Sequence, residues 1–320
     1  MLSSQAEELF WAGRYIERAE DTARMLDVTY HAVLEARADA PPDPWWELLE
    51  VLNSDRAFRR PDSEASAAAV TGFLMLDPEN PGSIVCSIAR ARENVRSVRE
   101  RVSTELWEGI NGLYLDLRSR DLRADLEGQP YDLYRMVKLR CQTLAGVAEH
   151  TMLHDDGWRF FNLGWMLERA EMTCRILNVR YRRPAGTDGA PAFHRWVALL
   201  RSASGLEAYR LYAQGHFDPA LVLEFLLLCP TFPRSVLFLL HAAEAQLMRV
   251  APPGVAPRPQ RIIGRLRAEL EFRDVREVLQ SDLHGFLEHI LQGIWKLSDA
   301  IAAEFFRRDE DRDLYHLVTA

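Results

Sequence analysis

Between residues 9 and 33 apolar side chains recur at alternating steps of three and four: Leu9, Ala12, Ile16, Ala19, Ala23, Leu26, Tyr30 and Val33. That rhythm keeps them on one face and predicts a long helix with a seam for bundle packing. The alanines in the seam let a neighbouring helix approach closely, and Ser4 followed by Glu7 has the spacing of a capping box at the helix start. Proline and glycine interrupt the chain at 40–44, 77–82, 154–157, 182–191 and 251–259. The segments between these breaks are too long for typical strands, and none alternates apolar and polar residues beside hairpin turn chemistry. The most apolar runs, Leu221–Cys229 and Val236–Leu240, fall far short of the ~20 residues of a membrane span and predict buried helices. The expected class is all-α.

The pattern occurs twice. A shift of 151 aligns LFWAGRYIERAEDTARMLDVTY (9–30) with FFNLGWMLERAEMTCRILNVRY (160–181), with 11 of 22 positions identical. The same shift pairs Trp45, Leu48 and Leu49 with Trp196, Leu199 and Leu200. A shift of 152 pairs Pro78, Pro81 and Ser83 with Pro230, Pro233 and Ser235. One register persisting over so much chain predicts a helical bundle built from two tandem pseudo-repeats of about 150 residues, 1–153 and 154–320. Each repeat would hold a long helix, a Trp-led helix, a short apolar helix, a Pro-rich turn and further helices.

Composition narrows the function classes. With 48% hydrophobic and 27% charged residues, the 320-residue chain is neither disordered nor fibrous. Its net charge of −8 offers no overall attraction to nucleic acid or anionic membranes. Cys86, Cys141, Cys174 and Cys229 show no metal-ligand spacing and are expected to be reduced core thiols. The N-terminus has no basic stretch before its apolar residues, so a cytoplasmic location is expected.

The sharpest chemical feature is the repeated GxxxER segment. On a helical wheel Gly13, Glu17, Glu20 and Arg24 share one stripe, repeated by Gly164, Glu168, Glu171 and Arg175. Arg18 and Arg169 are expected to point elsewhere, because adjacent helical residues face apart. The stripe is either an ion-pair lattice that registers two equivalent helices, or a polar pocket in which Glu17 and Glu168 perform acid–base work beside arginines.

These segments, with DPENPGSIVCSIARARENVRSVRERVSTELWEGIN at 77–111, resemble the alpha-E domain family, an uncharacterised alpha-helical domain named for its Glu-Arg motif. The resemblance covers essentially the whole chain. It places the motif on Glu17–Arg18 and Glu168–Arg169. It also implies a setting: such proteins are encoded beside, or fused to, circularly permuted ATP-grasp ligases, often with a transglutaminase-like protein. The resemblance brings no catalytic mechanism.

The two copies diverge after their Pro-rich turns. Arg90, Arg92, Arg96, Arg99 and Arg101 follow DPENPG, whereas SVLFLLHAAEAQLM is nearly uncharged. If helical, Arg92, Arg96 and Arg99 share a face beside Asn94 and are candidates to clamp a carboxylate or phosphate. Glu105, Trp107 and Asn111 would wall the same pocket or pack the helix end. His150 and His154 lack an HExxH glutamate, and His284 and His289 are five residues apart. No P-loop, dinucleotide or nucleophile-elbow motif occurs, so neither a metal nor a cofactor is expected, and any ATP would bind a partner. The leading expectation is a partner of an ATP-grasp ligase in peptide ligation or modification that binds an anionic peptide or intermediate. The alternatives are an amide-transferring or amide-hydrolysing enzyme and a purely structural module.

Overall fold

The computed structural model describes residues 1–35, 44–58, 65–182, 190–250 and 257–306, except the side chains of 181, 182, 190–192 and 280. Much of the breaks at 40–44, 182–191 and 251–259, and the expected repeat's end at 307–320, lie outside the described residues. Among the described residues there is no strand, so the chain is all-helical. The helices are α1 (Ser3–Glu35), α2 (Pro44–Val51), α3 (Ala67–Met75), α4 (Ile84–Ser97), α5 (Thr104–Ser119), α6 (Leu122–Gly128) and α7 (Pro130–Thr151). They continue with α8 (Asp156–Arg182), α9 (Ala190–Ser202), α10 (Leu206–Tyr212), α11 (Pro219–Leu228), α12 (Val236–Val250), α13 (Arg258–Glu271), α14 (Val275–Gln280) and α15 (Leu283–Ile301). A π-helical turn, Ala302–Phe306, follows.

Local chemistry sets several of these boundaries. Ser66, Ser83 and Ser103 cap α3, α4 and α5, each accepting a backbone N–H from three residues on. Proline opens α7 and α11, where its missing N–H costs nothing. The Ser4–Glu7 box does not form the start of α1. The helix begins at Ser3, and Gln5 Oε1 instead accepts the N–H of Leu2 at 3.4 Å.

The seam of α1 is buried from Leu9 to Leu26 and runs out at Val33, which is exposed. It packs on α4 and α7, while α8 packs on α12 and α15. Behind these, α5 covers α4 and α7, and α13 covers α12 and α15. α2 also leans on α8, and α9 on α1. The predicted apolar runs lie in α11 and α12, with Val222, Leu223, Phe225–Leu227, Val236, Leu239 and Leu240 buried. No described helix is long and apolar enough to cross a membrane. All four cysteines are free thiols, and Cys141, Cys174 and Cys229 are buried.

The central contact is the crossing of α1 with α8. A Cβ added to Gly13 would overlap the Phe161 carbonyl, and one added to Gly164 would overlap that of Phe10. Only glycine permits this backbone approach, and it does so from both sides.

Candidate functional site

Close approach at the glycines places the following turn of each helix within reach of the other. Arg169 donates from Nε and Nη2 to the two oxygens of Glu17, at 2.6 and 2.9 Å. Arg18 returns the same two-pronged contact to Glu168, at 2.6 and 3.0 Å. Each Glu-Arg pair is thus split across the crossing, glutamate to arginine in both directions. The expectation that Arg18 and Arg169 point elsewhere fails because their long side chains reach the other helix instead of neighbours on their own. Aromatic rings support both guanidiniums, Tyr15 at 5.5 Å from Arg18 and Trp165 at 4.3 Å from Arg169.

Two ion networks grow from these pairs. In the first, Arg234 enters from the turn before α12 and donates to Glu17 and Asp21 at 3.1 Å and to Glu20 at 2.8 Å. Thr173 of α8 fixes that turn by donating to the Arg234 carbonyl at 3.0 Å. Arg24 pairs with Glu20, four residues before it, at 3.2 Å, and with Asp21. Gln142 of α7 donates to Glu20 at 3.0 Å. Three carboxylates (Glu17, Glu20, Asp21) here face three arginines (Arg24, Arg169, Arg234), nearly all of them buried.

In the second, Arg14 donates to Glu168 at 2.6 Å and to Glu171 at 2.5 Å, with its third nitrogen on Ser298 of α15 at 3.2 Å. Arg175 pairs with Glu171. Here two carboxylates, Glu168 and Glu171, face three arginines, Arg14, Arg18 and Arg175. Arg18 and Arg175 keep 26% and 20% of their side-chain surface exposed, so the surplus charge reaches solvent.

Burial on its own would raise the Glu20 carboxyl, but Arg234, Arg24 and Arg169 overcome it and hold the group at about 2. Glu168 is likewise held at about 2 against burial by Arg18 and Arg14. Burial beside Arg234 lowers Arg24 to about 10, whereas Glu168 and Glu171 outweigh burial at Arg14 and raise it. Both carboxylates, Glu20 and Glu168, stay ionised near neutrality, and each of their oxygens already accepts from a guanidinium, an arrangement suited to ion pairing. Glu17, Glu20 and Asp21 do bring oxygens within 4.8 Å of one another, a spacing a cation would accept. The Arg234 guanidinium already donates to all three, and a metal would have to displace it.

Of the expected residues, Glu17, Arg24 and Arg169 thus meet in the first network and Glu168, Arg18 and Arg175 in the second. Arg14, Asp21, Arg234, Gln142 and Ser298 were missed from sequence. Arg14 and Arg234 left a trace, since the 151 and 152 shifts set them opposite the uncharged Trp165 and Gly82.

The expected arginine face is not assembled. α4 ends at Ser97, and Arg99 lies in a separate 3₁₀ turn, donating to the Val102 carbonyl and Thr104. Arg92 donates to Asn111 at 2.8 Å, pairs with Glu93 and packs against Trp107 and Tyr114. Arg96 takes the other oxygen of Glu93 at 2.7 Å. Asn94 donates to the Glu8 carbonyl, and Glu105 is exposed in the first turn of α5. Among the histidines, His154 stacks on Trp158 beyond the end of α7, His284 meets Asn178, and His289 meets Glu269.

Residues 1–306 match the Alpha-E family, described as an alpha-helical domain with a conserved ER motif. The chain is 28% identical over 314 residues to an uncharacterized protein of Mycobacterium bovis and 27% identical to one of Mycobacterium tuberculosis. Each alignment covers 90% of this chain but 34% of the relative, so the chain spans about a third of their length. No solved structure matches.

Proposed function

The chain belongs to the Alpha-E family, and from that premise we propose that it is a non-catalytic companion module of an ATP-grasp ligase in peptide ligation or modification. The observation behind this reading is that both Glu-Arg carboxylates, Glu17 and Glu168, are occupied by guanidiniums, with Glu168 and the neighbouring Glu20 held at about 2. Such a motif locks two helices together and leaves chemistry to another polypeptide. The relatives support the idea of a module, because two thirds of their length lies outside the matched region. The ATP-grasp partner, and a transglutaminase-like protein beside it, come from the family resemblance. The acid–base alternative built on Glu17 and Glu168 loses ground, since each oxygen of both groups already accepts from an arginine.

The repeat organisation belongs to the same proposal. Residues 1–153 and 154–320 are two copies of one unit, supported by the 151-residue sequence register and by α1 and α8 having matching neighbours.

The test is ATP turnover and product formation by a neighbouring ATP-grasp ligase, with and without the purified chain. Stimulation by the wild type is expected. A ligase whose product and rate do not change when the chain is added would overturn the companion role.

A further inference from the structure

We infer that the edge of the α1/α4 interface, where Arg18 and Arg90 flank the ring of Tyr15, is a binding site for the carboxylate of an acidic peptide segment. This deepens the companion-module reading by naming the chemistry of what docks. The two guanidiniums lie 5.5 and 5.7 Å from one ring centroid, so a single aromatic side chain anchors both cations. Trp11, 5.7 Å from Tyr15 and one turn earlier on α1, extends the aromatic surface beside them.

The charge of Arg90 is uncompensated, for a traceable reason. Glu93, three residues after Arg90, is placed to be its intrahelical partner. Its two oxygens are taken instead by Arg92 and Arg96. Arg90 is exposed and forms no ion pair among the described residues. Arg18 uses Nε and Nη2 on Glu168, and Nη1 has no hydrogen bond among the described residues. Arg18 also belongs to the network with one more arginine than carboxylates. An exposed, unpaired guanidinium at Arg90 beside the unused Nη1 of Arg18 suits a flat, two-oxygen anion, which Arg90 can engage with paired N–H donors and Arg18 through Nη1.

The test titrates a labelled peptide of four consecutive glutamates into the whole chain, with a glutamine version as the neutral comparison. The glutamate peptide binds and the glutamine peptide does not. Arg90→Ala weakens binding by about tenfold or more, as expected for loss of a charge-assisted fork. A melting curve confirms that this exposed variant is folded. Arg123→Ala, the same charge change at an exposed site on α6, leaves affinity unaltered.

Unchanged affinity in Arg90→Ala would overturn the site, as would an equal loss in Arg123→Ala or no binding by the wild type. Displacement of the peptide by inorganic phosphate, but not by acetate at equal ionic strength, would make it a phosphate site and overturn the carboxylate assignment. Because no ligase is present, the site and the companion role fail separately.

Discussion

The two ion networks start from the same residues and end differently. In both, a Glu-Arg pair is exchanged across the glycine crossing, and a third arginine bridges the two glutamates of one helix. In the first that arginine is Arg234, from the turn before α12; in the second it is Arg14, from α1 itself. The first is sealed, with three carboxylates against three arginines, Asp21 supplying the third charge. The second has Met172 where the shift of 151 places Asp21's counterpart, and its surplus cation is partly open at Arg18. Two helices can thus exchange the same pair on both sides of one crossing while only one of the two networks keeps a surplus charge in contact with solvent.

Removing the bridging arginines gives the largest effects. Arg234→Ala leaves Glu17, Glu20 and Asp21 with only Arg169 and Arg24, one carboxylate in excess in a sealed site, and is expected to cost about 3–5 kcal/mol in urea unfolding. Arg14→Ala should fall at the low end of that range, because Arg18 and Arg175 remain on its carboxylates and reach solvent. Equal losses would remove the distinction between closed and open networks.

Gly164→Ala comes next. Its Cβ meets the Phe10 carbonyl, and backbone cannot yield as a side chain would, so about 3 kcal/mol is lost. The same substitution at Gly146, in the exposed interior of α7 with nothing near the added carbon, should gain roughly 0.5–1 kcal/mol. Denaturant midpoints of the two variants should therefore move in opposite directions.

Acid distinguishes the networks more gently. Glu20 in one and Glu168 in the other sit at about 2 when folded, below the ordinary 4.5. A depressed carboxylate contributes fully above its unfolded value and loses that contribution as pH falls toward the folded one. The melting temperature should be level from pH 7 to about 5 and fall between about 4.5 and 2. Arg24→Met should shift the Glu20 part of that fall upward in pH and leave the Glu168 part in place.

The helical class, the long first helix and the apolar faces of α11 and α12 were legible because the 3.6-residue period records burial directly. The capping box was not, since Ser4 competes with a start one residue earlier. Arg18 and Arg169 were misjudged because i,i+1 geometry governs neighbours within a helix, and these side chains cross to another one. Arg92, Arg96 and Arg99 looked like one face only while α4 was taken to run past Ser97. The 151 and 152 registers were informative at Arg14 and Arg234, where each arginine stands opposite an uncharged residue. Sequence gave no distance by which to know that they serve equivalent glutamates.

The most direct test of the structural lock is the urea-unfolding free energy of Glu168→Gln, which keeps the side chain's shape and removes its charge. Arg14 and Arg18 would then lose their shared carboxylate, and a loss of about 3–5 kcal/mol is predicted, together with any stimulation of the ligase. An unfolding free energy equal to wild type, with stimulation abolished, would contradict the account and return Glu168 to a chemical role.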